Sequence, residues 1–175
     1  ISHLHQRSRN ELVIFNSRQA SLINYMDGRS NRLYTSDTSN IDQIIRYHTK
    51  NHWLSTGRKD YTLFCLPENG KRDSLTNLAP EHFLRTGDIR LVYLNGNINL
   101  SKLKYPRLLK LDYIVLAGNP QATPQDLKRL FRFEKIILDP SVPYYVRQRW
   151  IQNLRESGTS YHSIPEQGAF HRVWG

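Results

Sequence analysis

The seven histidines and fifteen carboxylates of this chain are the side chains that could hold a metal ion or move a proton. His48 and His52 stand four apart in "HTKNH". On a helix that spacing puts both rings on one face, as in zinc peptidases, but the glutamate base and a third ligand are missing. A packed or surface pair is the expectation. His3 and His5 lie in a polar N-terminal stretch, where ordering the chain around an ion would cost entropy. His162 and His171 flank the Gln167-Gly168 turn and read as surface histidines. Asp37 ends the run "NRLYTSD". One carboxylate is not a metal site, and the plainer role for Asp37 is to cap a helix starting near Ser39. Cys65 is the single cysteine and cannot form an internal disulfide or a cysteine-rich zinc site. Within "YTLFCL" it reads as a small buried side chain. Neither a GxxxxGK phosphate loop nor a GxSxG nucleophile turn occurs.

These residues need a scaffold, and 175 residues suffice for one domain with a substantial core. The chain is 38% hydrophobic and 11% aromatic, which excludes a disordered polymer. No apolar run approaches the ~20 residues of a membrane helix. The opening "ISHLHQRSRN" has no apolar signal-peptide core and no initiator Met. It reads as a linker over residues 1–10 of a fragment or processed chain, followed by a single domain over 11–175. The 25 basic and 15 acidic residues leave a net charge of +10, a balance that attracts polyanions.

The segments "ELVIFN", "SLINYM" and "NRLYTS" predict strands, with Asp27-Gly28 as a hairpin turn between the last two. Ile41, Ile44, Ile45, His48 and Trp53 keep rough helical spacing, with Ser39 or Asn40 as the cap. "YTLFCL", "DIRLVYLNGN", "LDYIVLAGNP", "KIILDP", "SYHSI" and "GAFHRVW" predict further strands. Residues 68–86 are weakly patterned, with a short helix expected near Pro80–Leu84. "TPQDLKRLFRF" has a Thr cap and a first-turn Pro, and "PYYVRQRWIQNLRESG" is a helix stopped by Gly158. Strand and helix alternate toward the C-terminus after an N-terminal hairpin. The expected fold class is therefore α/β, with mixed β-sheet layers covered by helices.

In this order, the elements resemble the metallo-β-lactamase-like domain at the C-terminal end of the DNA-uptake competence protein ComEC. The opening "FNSRQASLINYMDGRSNRLYTSD" is similar to that family's strand, loop, turn and strand ending in Asp. The close "KIILDPSVPYYVRQRWIQNLRESGTSYHSIPEQGAF" is similar to its strand, helix ending in Gly, short strand and glycine turn. The likeness spans nearly the whole chain from Glu11 and is nearest to a divergent Bacteroidetes-type form. It implies an α/β-β/α sandwich, here degenerate, attached to a transmembrane channel for single-stranded DNA on the same polypeptide. The implied location is the outer, periplasmic face of the inner membrane.

Active members of the resembled family bind metal through T-H-x-H-x-D-H, which holds two ions about 3.5–4 Å apart and generates hydroxide. At that place this chain reads "CLPENGK", Cys65 to Lys71, and where the family has H-H-G-S it reads "AGNPQAT", Ala117 to Thr123. Neither block contains a histidine, and only Asp37 fits a family acidic position. The expectation is a domain with no metal, no cofactor and no catalytic residue, binding DNA weakly, without sequence preference, by charge. Arg18, Arg29 and Arg32 flank the loop and hairpin that would rim the old site. Arg147 and Arg149 on the C-terminal helix are second candidates. Two other readings stand beside this one. The first is a metal-dependent nuclease or hydrolase with rearranged ligands. The second is a basic interaction module for a membrane or a protein partner.

Overall fold

The computed structural model describes residues 9–28, 30–57, 60–67, 78, 80–96 and 98–175. The chain forms two compact units, one of residues Ile1–Leu66 with Gly168–Gly175, the other of Pro67–Gln167. Together they are mixed α/β, and no helix of the described residues is long and apolar enough to cross a membrane.

The first unit is a five-stranded sheet of β1 (Asn10–Ile14), β2 (Leu22–Met26), β3 (Asn31–Thr35), β4 (Thr62–Cys65) and β12 (Phe170–Trp174). The strand order is β12-β1-β2-β3-β4. All neighbours are antiparallel except β3 and β4. Joining β2 to β3 is the expected turn, in which Asp27 N–H donates to the Ser30 carbonyl at 3.0 Å. The Asp27 carboxylate accepts the Ser30 N–H at 3.1 Å.

A parallel pair needs a crossover, supplied here by the helical run α1 (Ile41–Ile44), a π-turn (Ile45–Thr49) and α2 (Lys50–Ser55). The π-turn inserts an extra residue per turn and brings Trp53 round toward the side of Ile44. Both then pack on Val13, Leu22, Met26 and Leu33. Those four residues share one sheet face because the register places Leu22 and Leu33 on the same side as Val13 and Met26. Cys65, expected to be buried, is exposed. It ends an edge strand only four residues long, and three of those four side chains face water.

The sheet of the second unit is built of β5 (Phe83–Thr86), β6 (Ile89–Asn95), β8 (Tyr113–Ala117), β10 (Lys135–Leu138) and β11 (Tyr161–Ser163). The strand order is β11-β10-β8-β6-β5. β5 and β6 form an antiparallel hairpin, and β6, β8, β10 and β11 are parallel. A small parallel pair, β7 (Leu109–Lys110) and β9 (Phe131–Arg132), lies beside it. The expected helix near Pro80–Leu84 is a single 3₁₀ turn, Pro80–His82, that runs directly into β5.

Two helices provide the crossovers, α3 (Pro124–Leu130) and α4 (Tyr144–Glu156), and a last turn α5 (Ile164–Gln167) ends the unit. At α3 the Thr123 hydroxyl accepts the Asp126 N–H while the Asp126 carboxylate accepts the Thr123 N–H, a reciprocal cap with Pro124 behind it. α4 stops at Gly158, whose φ of +64° suits glycine. Leu127, Leu130, Trp150, Ile151 and Leu154 pack on Val92, Leu94, Ile114, Leu116, Ile136 and Leu138, the alternate residues of three parallel strands. The opposite-facing Leu91, Tyr93, Tyr113, Val115 and Ile137 are buried as well, which explains why these strands read as continuous apolar runs.

Candidate functional site

In parallel α/β sheets, ligand sites form beyond the C-terminal strand ends. In the second unit that rim consists of Asn95-Gly96 after β6, Gly118 after β8, and Asp139 to Ser141 after β10. Gly118 has φ +65°, which strains any other residue, and a Cβ there would come within 2.5 Å of Asn95 Oδ1, which would have to move aside. Its N–H donates to Ser141 Oγ at 2.9 Å, and that hydroxyl donates to Asp139 Oδ2 at 2.6 Å. Asp139 is fully buried and also accepts the Ser141 N–H at 3.0 Å. Both of these Asp139 bonds fall on Oδ2; Oδ1 is buried and makes no hydrogen bond. The carboxylate orders a turn and a hydroxyl and is not turned outward as an open ligand.

Asp37 has a similar local use. Its Oδ1 accepts the Ser39 N–H at 2.9 Å and the Ser39 hydroxyl at 2.7 Å. These bonds, the backbone one first, hold its carboxyl below the usual 3.8. The helix itself starts one residue later, with Asn40 as its N-cap and no side-chain cap bond. The expected cap by Asp37, Ser39 or Asn40 is therefore an Asx-type turn just ahead of the helix.

Among the histidines, His48 lies in the π-turn and His52 in α2. Burial pushes His48 below its usual 6.5. His52 instead meets residues far away in sequence. Its Nε2 is 3.2 Å from Glu11 Oε1, and His171 Nδ1 is 3.6 Å from the same oxygen. The His52 Nε2 is buried and out of line for a well-formed hydrogen bond to that oxygen. The two rings are 5.9 Å apart, edge to face, and Phe15 covers His52 edge-on at 6.1 Å. Burial raises the Glu11 carboxyl, but its contacts with His52 and then His171 outweigh this and hold it below 4.5. A feature of this kind has a faint sequence signal, an acid in an apolar strand, but no signal for its partners.

A two-metal hydrolase centre is the group the resemblance brings with it, and the described residues do not fit one. The block Ala117–Thr123 offers no histidine, cysteine or acid. In the other block, Glu68 to Lys71 lie outside the described residues, as do His3 and His5. Among the described residues, no group of three His, Cys, Asp or Glu is placed to hold a metal ion.

The candidate cations separate sharply. Arg18 is exposed in the β1–β2 loop, and Arg149 is exposed on α4 beside Asn119 and Thr123. Arg32 is half-buried on β3, its guanidinium 5.9 Å from the centre of the Tyr25 ring. Arg29 lies outside the described residues. Arg147 departs from expectation: it is only 8% exposed. Its Nε donates to Glu166 at 2.9 Å and its NH1 to the Val142 carbonyl at 2.7 Å. Burial raises the Glu166 carboxyl, but the Ser163 hydroxyl and then Arg147 outweigh it and hold Glu166 below 4.5. Two of the three guanidinium nitrogens, Nε and NH1, are thus spent on the unit's own packing.

These features define an α/β protein whose strand-end loops carry turn-forming polar residues in place of a ligand cluster. The sequence matches the ComEC C-terminal domain family over residues 12–174, and the chain belongs to that family. Membership ties it to competence DNA uptake. No curated protein matches the chain, and no solved structure does.

Proposed function

We propose that this chain is a non-catalytic, soluble domain of a membrane DNA-uptake protein, which holds incoming DNA by charge and docks on the channel portion of its own polypeptide. The family match across residues 12–174 is the observation that carries this reading. The net charge of +10 supplies the means, since a basic surface gains affinity by releasing counterions from phosphates. The fold in this reading is a degenerate metallo-β-lactamase-like sandwich on the periplasmic side of the inner membrane. Support for the missing chemistry comes from Ala117–Thr123, which has no histidine, cysteine or acid, and from Asp37 and Asp139, each engaged in a local turn.

Fluorescence anisotropy with labelled single- and double-stranded oligonucleotides of several sequences tests it. Binding should be weak, indifferent to sequence, and steeply weaker between about 50 and 200 mM salt. No binding at about 50 mM salt would reject the DNA-holding role and favour docking on a protein or membrane partner. Strand cleavage that requires an added divalent metal would overturn the non-catalytic part.

A further inference from the structure

Two pairs of like charges sit side by side on the edge of the second unit. Arg85 on β5 is directly opposite Arg90 on β6. In antiparallel register, such partners share a face at the closest cross-strand spacing, where like charges destabilise the sheet. On the small neighbouring sheet, Lys110 of β7 is registered beside Arg132 of β9. All four residues are exposed. Among the described residues none of the four is in an ion pair. Asp112, which follows β7, accepts the Arg90 backbone N–H through Oδ2 at 2.7 Å and forms no ion pair with any of the four side chains.

A groove of about 260 Å³ connects the two sheets, lined by Phe83, Leu84, Arg85, Arg90, Leu109 and Lys110. Its floor is apolar, its rim is cationic, and Leu108 beside it is 53% exposed. Three of the four cations line this groove, and Arg132 is registered beside the third, Lys110; a folded chain does not gain from like charges so paired. An anionic partner reverses the sign of that interaction. Four cations spread over two sheets suit a run of phosphates and not a single small anion. An apolar floor with one aromatic ring suits the bases and sugars of an unpaired strand.

We infer that Arg85, Arg90, Lys110 and Arg132 form a strip that binds the phosphate backbone of single-stranded nucleic acid, with Phe83 and Leu109 under the bases. This rests on the DNA-holding reading above and relocates the main contact from the arginines around the hairpin to the second unit.

The test uses the whole chain and a labelled oligothymidine of about 20 nucleotides at about 50 mM salt. The strip variant is Arg85→Gln/Lys110→Gln, one residue from each pair. The control is Arg46→Gln/Lys50→Gln, two exposed cations on the first unit's helix, and either variant lowers the net charge from +10 to +8. The strip variant should bind at least tenfold more weakly, with unchanged or raised Tm, while the control binds within about twofold of the parent. Arg85→Glu replaces a repulsive pair with an attractive one, so its Tm should rise while its DNA affinity falls. Equal losses in strip variant and control would overturn the strip while leaving charge-led DNA binding in place. A parent that binds no DNA would sink both readings together. If the strip substitutions abolish binding to vesicles containing anionic lipid but leave DNA affinity intact, the strip serves a membrane and the inference is wrong.

Discussion

The indole N–H of Trp53 donates to the amide oxygen of Asn24 at 2.8 Å, across 29 residues of sequence. Asn24 is fully buried in the centre of β2. Its amide nitrogen donates in turn to Asn31 Oδ1 at 2.7 Å and to the Arg32 carbonyl at 2.9 Å. One side chain thereby ties the crossover helix to β2 and β3. Trp53→Phe keeps most of the ring but leaves the Asn24 oxygen unsatisfied, and should cost about 1–3 kcal/mol in urea unfolding. Asn24→Leu strands both the indole N–H and the Asn31 oxygen and should cost at least as much. A change under about 0.5 kcal/mol in either would show that the network is not a structural tie.

Gly118 and Gly158 both have positive φ, but only Gly118 is crowded. Gly158→Ala meets open space and should cost about 1–2 kcal/mol for the left-handed backbone alone. Gly118→Ala adds a collision with Asn95 Oδ1 at 2.5 Å and should cost clearly more. The difference between the two melting temperatures isolates the crowding at the rim.

Arg147 and Arg149 are two residues apart and should behave oppositely. Arg147→Ala removes the partner of Glu166 and an internal donor, and should cost about 1–3 kcal/mol with no loss of DNA affinity. Arg149→Ala should leave the melting temperature within about 1 °C and reduce DNA affinity no more than threefold. Loss of DNA affinity on Arg147→Ala in a fully folded sample would show that its guanidinium reaches outward after all.

Glu11 and Glu166 make the fold sensitive to acid in a defined direction. Each carboxyl is held below 4.5, so the folded state keeps the charged form at a pH where the unfolded chain has already taken up a proton. Their stabilisation is complete above about pH 5 and is lost as the pH falls through the folded values. In a series of urea unfolding curves, Glu11→Gln and Glu166→Gln should each flatten the fall in stability below pH 4.5. A parallel fall in parent and variants would show that other groups govern the acid limb.

Some of this protein was legible in its sequence, because the signals were local. Enrichment in Val, Ile, Phe and Tyr marked β1 and β2, alternation marked β3, and the Thr123-Pro124-Asp126 pattern marked the start of α3 because a cap is satisfied within one turn. The continuous apolar runs of β8 and β10 announced strands buried on both faces. The lack of ligand residues in Ala117–Thr123 was also plain, since a missing side chain needs no fold to be seen. Strands β7 and β9, two residues each, carry no period and were invisible. Only the tertiary structure brought Glu11, His52 and His171 to one oxygen, set Arg85 against Arg90, and turned Arg147 inward while Arg149 faces water. Register and crossover packing decide those meetings. A helix pattern says that an arginine lies on a boundary face, but the neighbour that arrives from 19 residues away, here Glu166, determines whether it is buried and paired.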